Sequence, residues 1–258
     1  MTGQVLLATD GSIARVTLSH PGKLNAMSRA MWHALREVFT SLQQHSEVRC
    51  VLLRGEGASF CAGGDITEYP DFRFDEAALR AFHEEEVWGG LQAMLDCDIP
   101  VVAQIEGACM GAGMEIASCC DLRLAGASAK FGAPIAKLGF PMAPREAALV
   151  MRAAGELTAR EMLLAAAVLD ASTLLQRGFL NRVLPDAELA AEAAAMAERV
   201  ARLAPAAARQ NKQCFRALAL DWRGPIATDL IANAYAYADS AEHREGVAAF
   251  VEKRPARF

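Results

Sequence analysis

Short apolar runs alternate with helical patterns through the first half of the chain, whereas helical patterns dominate the second half. At the start, residues 4–8 and 13–18 flank the turn Asp10-Gly11-Ser12 and predict a β-hairpin. Ser28 can then cap a helix. The apolar face of that helix comprises Met31, Leu35, Val38 or Phe39, and Leu42.

Three further apolar runs, at 49–55, 99–107 and 121–125, predict buried strands. A glycine-containing loop at 55–64 follows the first run, a helical pattern spans 75–96, and a short helix starts near Gly111. Strands that alternate with helices indicate a parallel sheet covered by helices.

Alanine dominates from about residue 144 onward, and the pattern there is mainly helical. Helices are predicted at 144–153, 158–165, 171–177, 186–203, 205–220, 225–238 and 240–252. Short strands are predicted around 168–169 and 182–184. An apolar helical region of this size favours packing against another subunit.

Composition and charge narrow the function classes. The net charge of the 258 residues is −5 and no long basic cluster exists, which argues against a nucleic-acid partner. No apolar run reaches the length of a membrane span, and no signal peptide is visible, so we expect a cytoplasmic protein with no membrane partner. Seven cysteines without zinc-site spacing predict reduced thiols and no metal.

Residues 51–65 and 101–115 resemble each other at an offset of 50. They read VLLRGEGASFCAGGD and VVAQIEGACMGAGME, and each ends in an acid, Asp65 or Glu115. This repetition indicates stacked units of strand, turn and helix. The alternative is coincidence in a sequence rich in glycine and alanine.

Both copies place small residues where a helix can begin. Because the first amides of a helix have no internal partner, two such turns facing each other would form a pocket for an oxygen that gains negative charge. Glu115 follows Ala112 by about one helical turn, so its carboxylate could transfer protons beside a carbonyl held there. The alternatives are tight packing for the glycines and an ion pair with Arg123 for Glu115.

Five stretches in order along the chain resemble the crotonase (enoyl-CoA hydratase/isomerase) superfamily. They are PGKLNAM (21–27), FCAGGDI (60–66), VVAQIEGACMGAGMEIASCCDLRLA (101–125), KFGAPIAKLG (130–139) and SAEHREGVAAFVEKRPARF (240–258). The resemblance implies an α/β fold, with a spiral of β-β-α repeats over 1–200 and a helical trimerisation region over 201–258. It also implies an acyl-CoA substrate, no cofactor other than the coenzyme A of that substrate, and a homotrimer or dimer of trimers.

By position in these motifs, the resemblance implies that Glu115 is catalytic and that the backbone amides of Gly64 and Ala112 form an oxyanion hole. The implied substrate and CoA contacts are Lys23, Leu24, Ala26, Ala62, Gly64, Asp65, Ile66, Ala112 and Ile135. No residue is implied to hold a metal.

The sequence departs from the family at its second catalytic glutamate. That residue normally follows the FG-x-P motif, but here Phe131-Gly132-Ala133-Pro134 is followed by Ile135. The candidates to replace it are Glu146, Glu68, His83 and Asp65, although Asp65 is expected to cap a helix. Tyr69 and Trp88 are candidates for the acyl pocket, Glu84-Glu85-Glu86 is expected to be solvated, and Cys61 and Cys109 are expected to be core residues.

We therefore expect an enoyl-CoA hydratase-like enzyme that adds water to an enoyl-CoA thioester, or removes it from a 3-hydroxyacyl-CoA, with Glu115 as its single acid/base. Double-bond isomerisation, decarboxylation and thioester hydrolysis remain alternatives, and Ile135 counts against the isomerase. An acyl-CoA-binding subunit without turnover is another alternative. The glutamate in an apolar helix counts against it, since a buried carboxylate is costly unless it is used.

Overall fold

The computed structural model describes residues 2–220, 228, 234–238 and 240–258. The helix expected at 225–238 lies outside these residues apart from 228 and 234–238. The described α-helices are α1 (Arg29–Gln43), α2 (Glu76–Ala81), α3 (Trp88–Asp96), α4 (Ala112–Cys119), α5 (Pro144–Ala154), α6 (Glu156–Leu164), α7 (Ala171–Gln176), α8 (Asp186–Ala201), α9 (Pro205–Leu220) and α10 (Ala241–Glu252). Two 3₁₀ helices span Ile66–Asp71 and Pro134–Leu138.

The strands are β1 (Gln4–Asp10), β2 (Ile13–Ser19), β3 (Cys50–Gly55), β4 (Val101–Ile105), β5 (Ala108–Met110), β6 (Leu122–Gly126), β7 (Lys130–Gly132), β8 (Val168–Asp170) and β9 (Arg182–Leu184). Six of them form a sheet in the order β1-β2-β3-β4-β6-β9, and three form a second sheet in the order β5-β7-β8. The predicted hairpin β1–β2 is antiparallel, whereas the pairs from β2 to β9 in the large sheet are parallel. Strands β5 and β7 were not predicted, and both lie in the glycine-rich segments 107–113 and 126–132 rather than in an apolar run.

The central strands β3 and β4 of the large sheet are buried on both faces, as their apolar runs predicted, whereas the edge strand β1 is mostly exposed. Along β3, Val51 and Leu53 belong to the main core with the helices α1, α3 and α4. Cys50 and Leu52 point to the other side and pack against Leu189, Ala193, Ala197 and Ala201 of α8. The alanines of α8 therefore let this helix lie close to the sheet.

Helix α1 begins where the sequence predicted. Ser28 Oγ accepts a hydrogen bond from the Met31 amide at 3.3 Å and so satisfies one of the free amides of the first turn. The buried face of α1 includes Phe39 rather than Val38, and it also includes Trp32.

The region predicted as one helix over 75–96 is helical throughout but has three parts. Helices α2 and α3 are joined by a π-helical segment, Phe82–Val87. Wider turns of this kind change the direction in which side chains leave a helix, and they occur often at functional sites. His83 lies in this segment and reaches the cavity described below.

Candidate active site

Two glycine-rich turns lie side by side at the carboxyl ends of the neighbouring parallel strands β3 and β4. Cys61 and Cys109 form a parallel bridge, in which the Cys61 amide donates to Ala108 O at 2.8 Å and the Met110 amide donates to Cys61 O at 2.9 Å. The sequence repeat at an offset of 50 is confirmed in the strands, where Val51 pairs with Val101. In the turns the register shifts by two residues, because Cys61 pairs with Cys109 rather than with Gly111. The same shifted register relates Gly64 to Ala112 along the two turns.

The backbone amides of Gly64 and Ala112 are free to bind a ligand. Neither donates a hydrogen bond to any described residue, whereas the amide of the next residue after Gly64, Asp65, donates to Met27 O at 2.8 Å. Gly111, just before Ala112, has a φ of 47°, a conformation that favours glycine. Both residues line the same cavity, of about 330 Å³.

The Glu115 side chain enters this cavity from the first turn of α4. It is 8% exposed, and its carboxyl group has no hydrogen bond or ion pair among the described residues. Burial raises the pKa of Glu115 well above its usual range, and the nearby carboxylate of Glu146 raises it further. The alternative pairing with Arg123 does not occur, because that guanidinium donates to the carbonyl oxygens of Phe179, Ala117 and Cys120.

A second carboxyl group reaches the cavity from α5. Glu146 is 2% exposed, and its Oε1 lies 3.0 Å from Nδ1 of His83 in the π-helical segment. A carboxylate only accepts, so this distance fits donation by the Nδ1–H of His83. Two of the four candidates for the lost acid, Glu146 and His83, are thus held together opposite Glu115.

The other two candidates lie outside the cavity. Glu68 accepts a hydrogen bond from the Arg29 amide at 2.8 Å, at the start of α1. Asp65 caps the following 3₁₀ helix, as expected, by accepting from the Thr67 amide at 3.2 Å.

The remaining cavity wall is mostly apolar. Ile135 lines it from the 3₁₀ helix at the end of the FG-x-P motif, so an aliphatic side chain lies where the resemblance implied a second glutamate. Ala62, Ile66 and Tyr69 line the side that follows the first turn. The Tyr69 hydroxyl lies against Gly64, since a Cβ built on this glycine would collide with it.

The remaining predicted CoA contacts form a rim beside the first turn. Lys23 Nζ lies 2.6 Å from Asp65 Oδ2 and 2.8 Å from Thr67 Oγ1. Burial opposes the ionisation of Asp65, but the hydrogen bonds from Lys23 and Thr67 outweigh it and lower the pKa. Leu24 is exposed and its carbonyl accepts from the Ala62 amide, while Ala26 is buried. The segment 23–26 therefore packs on the turn that carries Gly64.

Two residues near the site, Glu86 and Trp88, differ from the expectation, whereas Cys61 and Cys109 agree with it. Glu86 is buried and paired with Arg29 instead of solvated like Glu84 and Glu85, because the π-helical segment turns it toward α1. Trp88 is not part of the cavity wall and lies along an outer groove. Cys61 and Cys109 are buried core thiols, as expected. Burial raises the pKa of Cys61 to about 12.

Sequence reasoning missed two charged residues of the cavity wall, Lys137 and Arg73. Arg73 lies in a segment without a motif, and no spacing connects it to Glu115. Within the described residues, no cluster of three or more His, Cys, Asp and Glu side chains could hold a metal ion.

Comparison with known proteins supports the resemblance seen in the motifs. A family model described as enoyl-CoA hydratase/isomerase matches residues 8–258. A short-chain-enoyl-CoA hydratase of Clostridium acetobutylicum is 30% identical over 255 residues, which cover 97% of this chain and 95% of that protein. A crotonyl-CoA hydratase of Syntrophomonas wolfei is 29% identical over 262 residues, with coverage of 98% and 97%.

The fold comparison gives the same result. The crystal structure of an enoyl-CoA hydratase/carnithine racemase from Magnetospirillum magneticum superimposes with a TM-score of 0.94 at 37% identity and covers 100% of this chain and 96% of that one. The predicted crotonase-like α/β fold is thereby confirmed. The chain belongs to the enoyl-CoA hydratase/isomerase family and is a hydratase-like enzyme that processes acyl-CoA thioesters.

Proposed function

We propose that this enzyme adds water to enoyl-CoA thioesters, or removes it from 3-hydroxyacyl-CoA thioesters, in the cavity between Gly64, Ala112 and Glu115. The observation that carries the proposal is the state of Glu115. Its carboxyl group is buried without a partner among the described residues, and it follows a free helix-terminal amide by one turn. A carboxyl with a raised pKa suits proton transfer near neutral pH.

The free amides of Gly64 and Ala112 would bind the thioester oxygen. As water adds to the β-carbon, the π electrons of the double bond move toward that oxygen, and both amides stabilise the enolate. One donor of this kind is typically worth about 3 kcal/mol of activation free energy. The arrangement needs no reorganisation, because the bridge between Cys61 and Cys109 fixes both turns.

Two protons must move in this reaction. One leaves the attacking water as its oxygen bonds to the β-carbon, and one arrives at the α-carbon as the enolate collapses. Glu115 carries one of these transfers. Glu146, oriented by His83, supplies the second carboxyl that Ile135 does not provide, and thus the expectation of a single acid/base is replaced by a proposal of two.

The coenzyme A portion would bind along the rim formed by Lys23–Ala26 and Asp65–Ile66. The Lys23–Asp65 ion pair fixes this rim beside Gly64. The rim continues directly into the cavity through Ala62 and Ile66, so a thioester held there would place its acyl group near Glu115.

The region 201–258 would form the subunit interface of a homotrimer or a dimer of trimers. Its large apolar side chains are exposed in the single chain, among them Phe215, Leu218, Val247, Phe250 and Val251. Apolar surface on this scale favours association. Helix α9 is itself tied to the core at 1–200, since Lys212 pairs with Asp121 at 2.8 Å and Arg216 with Asp98 at 2.8 Å.

None of the described helices is long and apolar enough to cross a bilayer. We place the enzyme in the cytoplasm, because its seven cysteines are all free thiols, as a reducing compartment would keep them.

The test is hydration of crotonyl-CoA, followed by loss of the enoyl-thioester absorbance. We expect the wild type to be active and Glu115→Gln to lose about 10²-fold or more in kcat while it still binds acyl-CoA. Glu156→Gln is the matched control, since that glutamate is exposed and pairs only with Arg160 one turn along α6. An active Glu115→Gln variant would contradict the proposal. An inert wild type that gains hydration with Ile135→Glu would indicate a different crotonase reaction or none.

A further inference from the structure

Arg73 places an unpaired positive charge in the wall of the cavity. Its Nη1 atom is buried and makes no hydrogen bond, and its side chain forms no ion pair with any described residue. A buried guanidinium nitrogen is usually hydrogen-bonded, because losing water without a replacement is costly. The exception calls for an explanation.

Two aromatic rings hold the guanidinium in place. Arg73 Cζ lies 3.5 Å from the centre of the Phe140 ring and 4.6 Å from the centre of the Tyr69 ring. Ring faces attract the cation but accept none of its N–H groups in the plane of the guanidinium. Stacking therefore leaves the buried Nη1 without an acceptor among the described residues.

Tyr69 lies between Arg73 and the free amide of Gly64. The Tyr69 hydroxyl lies against Gly64, and its ring lies beside the Arg73 guanidinium. A thioester held at Gly64 and Ala112 would thus have Arg73 farther along its acyl chain. Phe140 and Met142 also line this cavity and make its wall more apolar.

No described residue forms an ion pair with Arg73. Burial lowers the pKa of Arg73, and the carboxylate of Glu146 lies near enough to oppose this, but Glu146 accepts its hydrogen bond from His83. Glu115 is buried with a raised pKa, which favours its uncharged form. Lys137 adds a second positive charge, from an exposed position. An uncharged acyl tail would leave the cation of Arg73 unpaired, whereas a carboxylate would satisfy it in a bidentate pair.

We propose that Arg73 binds a carboxylate at the far end of the acyl group, so that the preferred substrates are CoA thioesters of dicarboxylic acids. This inference rests on the proposed function for the placement of the thioester. It assigns Arg73 as a residue that determines specificity and gives it no part in the proton transfers.

The experiment measures binding by isothermal titration calorimetry with saturated ligands that cannot be hydrated. The pairs are glutaryl-CoA against pentanoyl-CoA and adipyl-CoA against hexanoyl-CoA, which match in carbon number and differ in the terminal carboxylate. We expect the wild type to bind at least one dicarboxylic ligand about tenfold or more tighter than its partner. An apolar wall without a usable cation gives the opposite order, because it penalises the carboxylate.

Substitutions then assign the preference. Arg73→Met removes the charge, and the preference for the dicarboxylic ligand disappears. Arg73→Lys retains the positive charge but loses the bidentate geometry, so part of the preference for the dicarboxylic ligand remains. The matched control is Arg80→Met, since Arg80 is exposed on α2 and pairs with Glu76. It keeps the wild-type preference, and so does Lys137→Met. Circular dichroism confirms that each variant is folded.

Three results would overturn the inference: tighter binding of both monocarboxylic ligands by wild type, a preference that survives Arg73→Met, or a preference that disappears with Lys137→Met. Because binding is measured without turnover, the two proposals fail separately. The enzyme could bind a dicarboxylic ligand tightly through Arg73 and yet hydrate neither crotonyl-CoA nor glutaconyl-CoA. That result would overturn the proposed hydratase function and support the role of Arg73. If the enzyme instead hydrates crotonyl-CoA and binds the monocarboxylic ligands more tightly, the hydratase function stands and the role of Arg73 is wrong.

Discussion

His83 and Glu146 are joined by a 3.0 Å contact between Nδ1 and Oε1, although they come from elements far apart in the sequence. His83 leaves the π-helical segment, and Glu146 leaves the first turn of α5. The contact fixes a carboxyl group on the wall of the cavity that Glu115 also lines. The resemblance implied a carboxyl at the position of Ile135, and the cavity has its second carboxyl from a different element.

The first prediction concerns this second carboxyl. Glu146→Gln should lower kcat for enoyl-CoA hydration by about 10²-fold or more, because one of the two proton transfers loses its group. Adding Ile135→Glu should restore part of the activity, since residue 135 faces the same cavity. The measurement is kcat for both variants beside the wild type.

The control for this pair is Ile135→Gln in the Glu146→Gln background, which introduces a polar side chain that cannot transfer the proton. It should restore nothing. If Glu146→Gln retains wild-type kcat, Glu115 acts alone and Glu146 has only a structural role.

The second prediction is a pH dependence of stability that comes from Glu115. Its pKa is raised above the usual 4.5 by burial, then by Glu146. At pH values between the pKa of Glu115 in the unfolded chain and its raised pKa in the folded chain, the folded chain holds a proton that the unfolded chain has lost. The free energy of unfolding therefore falls as the pH rises through this range. Below the unfolded pKa this penalty is absent.

In the Glu115→Gln variant the side chain at position 115 cannot ionise, so this loss of stability with rising pH does not occur. The variant should be more stable than the wild type by more than about 1 kcal/mol at pH 8, and the difference should shrink toward zero at pH 4. Urea unfolding across this pH range measures it. If the free energy of unfolding changes with pH in the same way for both proteins, the surroundings do not disfavour the ionised form of Glu115 and the prediction is wrong.

The third prediction concerns the contact between the two glycine-rich turns. A Cβ built on Gly113 would lie 2.6 Å from the backbone oxygen of Cys61, and backbone cannot move aside as a flexible side chain can. Gly113→Ala should therefore lower stability by about 1–3 kcal/mol and reduce activity by separating the two free amides.

Gly246→Ala is the matched control, because the nearest atom to its built Cβ is 3.5 Å away in the Phe258 ring and the residue lies within α10. Alanine should stabilise that helix by up to about 1 kcal/mol. Thermal unfolding and the hydration assay together test the pair. Equal effects of the two substitutions would mean that the turns do not constrain each other.

The fourth prediction concerns assembly. Phe250 is 86% exposed in the single chain and belongs to the apolar surface of the region 201–258. Phe250→Asp should shift the sedimenting species toward the monomer, whereas Phe250→Leu should keep the trimer or hexamer. A wild type that sediments as a monomer would contradict the proposed interface.

Much of the fold could be predicted from the sequence because it is encoded locally. The hairpin around Gly11, the Ser28 cap and the parallel strands follow from turn chemistry, capping and apolar runs. Glu115 could also be predicted, since a lone acid in an apolar helix stands out. The motifs led to Gly64 and Ala112, and the Cys61–Cys109 bridge explains why both line one cavity.

The remaining features depend on contacts between distant segments. The sequence suggested Glu146 and His83 separately, among four candidates, but only the fold brings them together. The burial of Glu86 depends on one π-helical segment that no local pattern marks. Arg73 was missed for the same reason, because its significance lies in what surrounds it rather than in its neighbours along the chain.

The two free amides belong to the main chain, whereas the acids of the site are side chains. Substitutions can therefore change the acids while the amides remain in place. No side-chain substitution at Gly64 or Ala112 removes an N–H, except one to proline. Acids around these amides can differ in position, and the role proposed for Glu146 in place of residue 135 would be one example. A lineage built on such a frame can change its reaction or its acyl group without passing through a protein that has lost the means to stabilise an enolate.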